Sequence, residues 1–304
     1  MAARGSKPVA VTPALLRAWA LPEPDGAGDK ESRGRVLVVG GAPSLPGAVL
    51  LAGSAALRAG AGKLQIATCR SIAPWIGIAV PEALVIGLPE TRTGAIAAGA
   101  AARLKEEAGG AQALLVGPGL LGDAGPLLAG LVRLAAGGDD ATLLLDAGAL
   151  AALAARPALL HPLRGRTVIT PHASEMAQLR GLEREEVERE PLRVARDAAR
   201  ELRAVVALKG PTTIVAAPDG RAWAYDGGDV GLATSGSGDT LAGIAAGLAA
   251  RGCDAAQAAV WAVYLHGAAG NVLARRVGRV GFLARELLAE VPRVMASASR
   301  RRRR

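Results

Sequence analysis

GRVLVVGGAPSLPGAVLLAGSAALRA, residues 34–59, decides the fold class of this chain. Its first part, Val36–Val39, is a short apolar run rich in β-branched residues that ends at two glycines, which predicts a buried strand followed by a tight turn. An alanine-rich segment runs from Gly47 to Ala59 and predicts a helix. A buried strand that passes through a glycine turn into a helix is the repeating unit of parallel α/β sheets.

The same alternation recurs along the chain. Further strands are predicted at Leu64–Thr68, Ala83–Ile86, Ala113–Val116, Leu143–Leu145, Thr167–Thr170, Val205–Leu208 and Thr213–Ala216, with Arg221–Tyr225 forming a hairpin with the last of them. Helices are predicted over residues 94–108, 126–136, 149–155, 239–250, 255–275 and 284–295, and from about residue 174. We therefore expect an α/β fold of three layers, an α/β/α sandwich around a mostly parallel central sheet.

The chain divides into three unequal parts. Residues 1–33 are polar and contain several prolines, so we interpret them as an N-terminal extension before the first strand. No linker divides residues 34–296, which we expect to form a single catalytic domain. Residues 297–304 end in five consecutive arginines and are interpreted as a disordered basic tail.

The composition excludes several classes of protein. The formal net charge of the 304 residues is +9, but five positive charges stand in Arg300–Arg304 and the remainder is spread out, which disfavours binding to nucleic acid. Cys69 and Cys253 belong to no Cys or His cluster, so neither a disulfide scaffold nor a zinc site is expected. Because no apolar stretch reaches roughly 18 residues and no signal sequence is recognisable, we expect a cytoplasmic protein without a membrane segment.

The strongest local signal for function is the turn Ser235-Gly-Ser-Gly-Asp239. Its glycines let the backbone approach a ligand closely, and the helix that follows offers unpaired N–H groups to an anion. A carboxylate beside such an anion is explained if Asp239 takes a proton from a hydroxyl group that attacks a phosphorus atom. The alternative is that Ser237 or Asp239 only caps the helix.

Three further strand ends carry polar side chains, and ligands of parallel α/β sheets bind at that edge. Lys209, followed by Gly210 and two threonines, suits contacts to a nucleotide phosphate or ribose. His172 could bind a ligand, or its loop could be structural, with Ser174 capping the next helix. Asp146 could contact Mg²⁺ or a substrate, or it could form a turn before a helix.

Other familiar signals are absent or weak. The sequence contains no GxxxxGK[ST] loop, and no GxGxxG follows the first strand, so neither a P-loop nor a Rossmann dinucleotide site is expected. Of the remaining histidines, His161 lies in a predicted loop and His266 inside a helical pattern, and neither position indicates a function.

In their order along the chain, these segments resemble the ADP/ATP-dependent NAD(P)H-hydrate dehydratase family, whose members have a ribokinase-like fold. The matching stretches are Gly34–Gly41, Pro46–Ala48, Ala56–Gly62, Val116–Gly119, Leu145–Asp146, Thr170–His172 with Glu175, Leu208–Gly210, Ala233–Asp239 and Leu241–Gly243. The resemblance extends from about residue 34 to residue 275.

The resemblance implies a metabolite-repair reaction. NADH and NADPH can take up water across the C5–C6 double bond of the nicotinamide ring, and the family phosphorylates the new hydroxyl with ADP in bacteria or ATP in eukaryotes. Loss of phosphate then restores NAD(P)H, with AMP as the other product when ADP is used. Asp239 would act as the catalytic base, and Mg²⁺ would offset the charge of the transferred phosphoryl group.

The resemblance also implies two sets of contacts. The hydrated dinucleotide is expected to contact Ala48, Gly119, His172 and Asp239. The adenine nucleotide is expected to contact Lys209, Gly210, Pro211, Thr212, Thr213, Gly236, Ser237 and Gly238. No metal ligands are predicted.

The chain departs from the family pattern in five places. Leu45 stands where tyrosine is common, and Leu120-Leu121 lengthens the Gly-Pro-Gly-Leu-Gly turn. The turn at residues 235–239 replaces Gly-Gly-Thr-Gly-Asp with residues that are also small, so we expect it to function. Asp229–Leu232 replaces Asn-Pro-Gly-Met. Gly148 replaces the second aspartate of Asp-Ala-Asp, which removes a candidate metal ligand.

Partners are also implied by the resemblance. Many relatives carry an N-terminal epimerase domain, for which residues 1–33 are too few, so we expect a functional link to a separate NAD(P)H-hydrate epimerase. Family habit implies a homo-oligomer, and a homotetramer in particular.

Two other functions remain open at this point. A ribokinase-like small-molecule kinase, phosphorylating a vitamin-precursor alcohol of the hydroxyethylthiazole or hydroxymethylpyrimidine type, would use the same glycine turn. A nucleotide-sensing or nucleic-acid-binding protein would use the arginine tail, and deletion of Arg300–Arg304 would distinguish it from an enzyme.

Overall fold

The computed structural model describes residues 7–23, 29–138 and 140–300. Its strands are β1 Val9–Ala10, β2 Arg35–Val39, β3 Lys63–Cys69, β4 Ala83–Leu88, β5 Ala113–Val116, β6 Thr142–Leu145, β7 Thr167–Ile169, β8 Val205–Leu208, β9 Thr213–Ala216 and β10 Ala222–Tyr225. Within the described residues they form one sheet in the order β1-β10-β9-β8-β7-β6-β5-β2-β3-β4.

Helices cover both faces of this sheet. They are α1 Pro13–Ala18, α2 Gly47–Arg58, α3 Ala73–Ala79, α4 Lys105–Gly109, α5 Gly125–Ala136, α6 Gly148–Ala154, α7 Ala173–Arg180, α8 Arg184–Arg189, α9 Pro191–Leu202, α10 Ser237–Ala250, α11 Ala255–Arg276 and α12 Ala284–Ser299. Helices α2, α10, α11 and α12 pack on one another in one layer, and α5, α6 and α7 belong to the other. The predicted α/β/α sandwich is confirmed.

The strand directions fix where a site can lie. The strands run parallel through one continuous part of the sheet, in the order β8-β7-β6-β5-β2-β3-β4. The β8–β9 and β9–β10 pairs are antiparallel. The predicted hairpin is therefore confirmed, and Gly220 turns it with a φ of +93° that favours glycine. Since β8, β7, β6, β5 and β2 are adjacent and parallel, their carboxyl ends meet at one edge of the sheet.

Regular structure begins earlier than the sequence pattern predicts. Strand β1 adds to the sheet by pairing Val9 with Trp223 of β10. After α1, the Trp19 ring stacks on Trp223 with 5.4 Å between centroids, and its carbonyl accepts a 2.8 Å hydrogen bond from the Trp261 indole. Part of the predicted N-terminal extension thus packs against the sheet and α11.

Other boundaries also differ from the predictions. The helix expected over residues 94–108 is a 3₁₀ helix, Ala98–Leu104, followed by the short α4. Helices α3, α8 and α9 are not among the predicted elements, and α10 begins two residues early. Helix α12 continues to Ser299, so residues 297–299 are helical rather than part of a tail, and residues 301–304 lie outside the described residues.

The core is built mainly from Ala, Leu and Val, with Trp261 and Phe282 the largest fully buried side chains. Both cysteines are buried and free. Among the residues that the structure describes, no helix is long and apolar enough to cross a membrane.

Helices α2 and α10 cross in close contact because glycines line the crossing. A Cβ atom added at Gly243 would lie 2.1 Å from the Ala52 carbonyl oxygen, and one at Gly247 would lie 2.3 Å from that of Ala56. No side chain fits between the two backbones, so the positions of α2 and α10 are fixed relative to each other.

We expect Gly243→Ala to lower the free energy of unfolding by about 1–3 kcal/mol, because the added methyl group must push the two helices apart. Urea unfolding monitored by circular dichroism measures this difference. Gly99→Ala is the matched control, since an added Cβ there meets nothing within 4 Å and should change stability by less than about 0.5 kcal/mol. Equal stability of the two variants would contradict the close crossing.

Candidate active site

The polar residues singled out in the sequence meet at one edge of the sheet. Gly40, Gly117, Asp146, Thr170 and Lys209 directly follow β2, β5, β6, β7 and β8. Gly117 has a φ of +130°, and a Cβ there would lie 1.7 Å from the Asp146 carbonyl oxygen, so only glycine fits.

Asp146 is the buried centre of this edge. Asp146 is 3% exposed. Its Oδ1 atom accepts a 2.7 Å hydrogen bond from the Thr170 hydroxyl and a 3.2 Å hydrogen bond from Lys209 Nζ. The next residue, Ala147, has a φ of +46°, a conformation that costs free energy for a residue other than glycine. Asp146 is therefore held as a paired buried charge, which a simple turn-forming aspartate is not.

Lys209 lies among carboxylates. Its Nζ atom is 3.2 Å from Asp146 Oδ1 and 3.8 Å from Glu175 Oε2. Burial opposes the charged form, but the attraction of Asp146 and Glu175 outweighs it and raises the pKa of Lys209. A Cβ added at Gly238 would lie 3.3 Å from the same Nζ atom, so the ammonium group adjoins the glycine turn.

The glycine turn leads into α10 without a side-chain cap. Gly236 is the N-cap residue in the left-handed conformation, φ +85°, and Leu51 of α2 lies against it. The Ser237 hydroxyl is instead hydrogen-bonded to His266 Nε2 at 2.8 Å, so the helix-cap interpretation of Ser237 is wrong. The Ser237 N–H donates to the Thr234 carbonyl at 3.2 Å. The next N–H groups of α10, those of Gly238 and Asp239, have no acceptor within the helix, which makes this turn suitable for an anion.

Asp239 is the third residue of α10 and adjoins the same charges. Burial and the Asp146 carboxylate raise the pKa of Asp239 to about 6, although Lys209 opposes the change. A carboxylate with a pKa near the working pH is suited to accept a proton in catalysis.

His172 caps α7. Its Nδ1 atom accepts a hydrogen bond from the Glu175 backbone N–H at 3.3 Å, and the His172 backbone N–H donates to Glu175 Oε2 at 2.8 Å. The alternative in which Ser174 caps this helix is therefore wrong. The imidazole is 54% exposed, and the Lys209 N–H donates to the Pro171 carbonyl at 2.8 Å, so His172 is held beside the end of β8 and open to a ligand.

The remaining predicted contacts fall into two groups on the same edge. Ala48, in the first turn of α2, adjoins Gly119, whose added Cβ would lie 3.0 Å from the Ala48 Cβ. Gly210, Pro211 and Thr212 form the exposed turn between β8 and β9, and Thr213 begins β9. The structure thus brings Lys209, Asp239 and Gly238 together, with the other predicted residues along the same strand ends.

Three residues acquire a place in the site that the sequence did not predict. The Thr170 hydroxyl donates to Asp146. Glu175 lies beside Lys209 and accepts the His172 backbone N–H at the start of α7. His266, on α11, contacts the Ser237 hydroxyl. A signal for His266 existed, because an imidazole in a largely apolar helix must find a polar partner if it is buried.

This arrangement supports one kind of chemistry. The glycine turn and helix N-terminus can hold a phosphoryl group, Lys209 can offset its charge, and Asp239 can remove a proton from an attacking hydroxyl. Phosphoryl transfer depends mainly on such positioning and charge stabilisation.

Comparison with known proteins agrees with this geometry. The sequence model of the NAD(P)H-hydrate dehydratase family matches residues 36–293. The chain is 52% identical, over 94% of its length and 95% of the relative's, to the ADP-dependent (S)-NAD(P)H-hydrate dehydratase of Xanthomonas campestris. It spans about half the length of several other relatives, which are named bifunctional NAD(P)H-hydrate repair enzymes.

Solved structures give the same result. The Bacillus subtilis ADP/ATP-dependent NAD(P)H-hydrate dehydratase, co-crystallised with ATP and Mg²⁺, superposes with a TM-score of 0.77 at 29% identity, covering 97% of this chain and 100% of that one. A ribokinase-like protein of Enterococcus faecalis superposes with a TM-score of 0.81 at 25% identity, covering 96% of each chain. The fold is ribokinase-like, and the chain belongs to the NAD(P)H-hydrate dehydratase family.

Proposed function

We propose that this protein is an ADP-dependent (S)-NAD(P)H-hydrate dehydratase, which returns hydrated NADH or NADPH to the reduced dinucleotide and releases AMP and phosphate. The observation that carries the proposal is Asp239, a carboxylate with a raised pKa beside Lys209 in the first turn of α10. Family membership supports the choice of substrates, and the geometry supports the order of events.

The reaction begins with phosphoryl transfer. Asp239 takes the proton of the hydrate hydroxyl, whose oxygen forms a bond to the terminal phosphorus of ADP while the bond from that phosphorus to AMP breaks. Lys209 and the N–H groups of the Gly236–Asp239 turn stabilise the negative charge on the transferred group. His172, Ala48 and Gly119 are proposed to hold the dinucleotide, and residues 209–213 the adenine nucleotide.

Elimination follows from the chemistry of the substrate. The lone pair of the ring nitrogen expels phosphate as the C–O bond breaks, and loss of a proton from C5 restores the C5–C6 double bond. Phosphate is a far better leaving group than hydroxide, which explains why a nucleotide is spent to remove water.

Mg²⁺ fits this site as an ion carried by the nucleotide. Among the described residues, no group of three or more His, Cys, Asp or Glu side chains could hold a metal alone. Magnesium is commonly bound by one or two carboxylates together with substrate phosphates, and Asp146 could supply one of them. When bound, the ion would neutralise charge on the phosphates.

The cellular setting is also proposed. We infer a cytoplasmic enzyme, which meets the soluble dinucleotide pool and has a functional link to an NAD(P)H-hydrate epimerase that interconverts the hydrate epimers. A homotetramer is supported by an apolar patch on the outermost strand and its helix, where Leu84, Trp75 and Ile78 are 57%, 70% and 75% exposed. Sedimentation equilibrium measures the oligomeric state.

The deciding experiment is incubation with purified hydrated NADH, Mg²⁺ and either ADP or ATP while the absorbance of reduced nicotinamide is followed. Absorbance should return with release of one AMP for each NADH formed from ADP. A parallel arm with hydroxyethylthiazole or hydroxymethylpyrimidine and ATP tests the kinase alternative. No return of absorbance with either nucleotide would exclude the proposed function.

A further inference from the structure

The inference concerns His266, a histidine on α11 that the reaction described above does not use. Its Nε2 atom lies 2.8 Å from the Ser237 hydroxyl, the first residue of α10. Ser237 is 4% exposed, so its hydroxyl cannot exchange this partner freely for water. The contact therefore connects α11 to the turn that is proposed to hold the phosphoryl group.

The imidazole is neutral at the pH of the cell. Burial and the nearby Lys209 cation lower the pKa of His266 to about 4, although a hydrogen bond with the Ser237 backbone opposes the change. A neutral imidazole carries one donor nitrogen and one acceptor nitrogen, and the two tautomers have opposite consequences for Ser237. If Nε2 accepts, the Ser237 hydroxyl donates its proton to the imidazole. If Nε2 donates, the Ser237 oxygen accepts from the imidazole and its proton is free to bond another acceptor.

We propose that His266 is a positioning residue that donates from Nε2 to Ser237 Oγ and so directs the Ser237 hydroxyl proton toward the phosphoryl group in the Gly236–Asp239 turn. The proposal rests on the proposed function, because that group is the one transferred from ADP. It adds a side-chain donor to the N–H groups of α10, at a point where negative charge must be stabilised.

The neutral state suits this role. A cationic imidazole would also donate from Nε2 to Ser237, but it would place a second positive charge next to Lys209. A neutral Nε2–H tautomer orients the hydroxyl without adding charge near Asp239. The site then depends on one cation, Lys209, which Asp146 and Glu175 hold in place.

Kinetics of three variants test the connection. Ser237→Ala should reduce kcat about 100-fold, the usual loss when one donor to developing charge is removed. His266→Leu should cause a loss of similar size, with a smaller change in KM for ADP, since the donor acts mainly on the transition state. The double variant should be no worse than the poorer single variant by more than about twofold, because both changes remove the same interaction.

Two further variants serve as comparisons. His266→Gln retains a side-chain N–H donor and should recover part of the activity lost in His266→Leu. His161→Leu makes the same substitution at an exposed histidine whose Nε2 contacts the Glu201 carbonyl, and it should leave kcat unchanged. Losses that multiply in the double variant, or full activity of His266→Leu, would overturn the proposal. Thermal unfolding of each variant checks that it is folded.

A second measurement needs no variant to be active. In wild-type protein with nitrogen-15-labelled histidine, the imidazole chemical shifts distinguish the Nε2–H from the Nδ1–H tautomer. The His266 signal is assigned as the one that is present in the wild-type spectrum and missing from that of His266→Leu. If His266→Leu does not fold, the signal is assigned instead as the one whose chemical shift changes in Ser237→Ala. The Nε2–H tautomer is expected, and the Nδ1–H tautomer would overturn the proposal. Failure of the wild type to regenerate NADH would defeat the proposed function separately.

Discussion

Turnover of the Asp239→Asn protein is expected to fall by about 10²- to 10⁴-fold, the range that general-base catalysis contributes. Asparagine has nearly the same shape but cannot take the hydroxyl proton. ADP should still bind, because Lys209 and the glycine turn are unchanged and a negative charge beside the phosphates is removed. Steady-state kinetics with hydrated NADH, together with calorimetric titration of ADP, separate the two effects.

Asp219→Asn is the matched control for this prediction. Asp219 lies in the exposed turn between β9 and β10, where it pairs with Arg221, and its replacement should leave both turnover and ADP binding unchanged. An Asp239→Asn enzyme with wild-type kcat would show that another group accepts the proton.

The pH dependence of the wild-type enzyme follows from the same residue. Because Asp239 must be ionised to act as a base, kcat/KM should fall as the pH is lowered through about 6. Burial is the largest cause of the raised pKa of Asp239, and among the neighbouring charges Asp146 and Glu175 raise it further while Lys209 lowers it. A kcat/KM that does not change between pH 8 and pH 5 would contradict the assignment.

Asp239 also affects stability. A carboxyl group whose pKa is raised by folding binds its proton more tightly in the folded state, so stability decreases as the pH rises from about 4 to about 6 and the loss persists above that range. Asp239→Asn should therefore increase the free energy of unfolding at pH 8 by up to about 3 kcal/mol. An increase in stability together with a loss of activity is typical of an active-site residue whose charge destabilises the folded state.

The second large effect is expected for Lys209→Met, which keeps the length of the side chain but removes its charge. We expect kcat/KM to fall about 10- to 100-fold through loss of a charged hydrogen bond to the nucleotide phosphates. The free energy of unfolding should fall by about 3–5 kcal/mol, because the substitution breaks a buried ion pair and leaves the Asp146 carboxyl group with the Thr170 hydroxyl as its side-chain partner among the described residues.

The same variant should shift the pH profile. Since Lys209 lowers the pKa of Asp239, its removal moves the decline of kcat/KM to a pH above about 6. Lys63→Met is the control, since Lys63 begins β3, at the opposite edge of the sheet, and pairs there with Glu31. Unchanged affinity for ADP in Lys209→Met would contradict a role for this lysine in nucleotide binding.

The fold was largely predictable because its strands are buried on both faces. Runs such as Val36–Val39 and Val205–Leu208 are apolar throughout, and such runs alternating with helices leave few arrangements other than a parallel sheet. Strand β1 was not predictable, because two exposed residues carry no pattern and are ordered only by pairing with β10. Helix α9 carried a readable signal, since Val194, Ala198 and Leu202 recur every four residues and are buried.

The site was predictable in its members but not in its connections. Asp146 and Lys209 each follow a strand, which the sequence shows, but they are 63 residues apart and meet only because β6, β7 and β8 are adjacent. The order of strands in a sheet depends on tertiary packing. The partnership of Ser237 with His266 has the same origin, because α10 packs on α11.

The glycine-lined crossing of α2 and α10 has a consequence for motion. Ala48 stands in the first turn of α2 and Asp239 in the first turn of α10, so the dinucleotide contact proposed for Ala48 and the phosphoryl-binding turn proposed at Gly236–Asp239 belong to one rigid unit. Domain closure that brings acceptor and donor together cannot occur between these helices. We therefore expect rearrangement on binding in the exposed Gly210–Thr212 turn. The amide hydrogens of this turn should exchange quickly without nucleotide and slowly when nucleotide is bound.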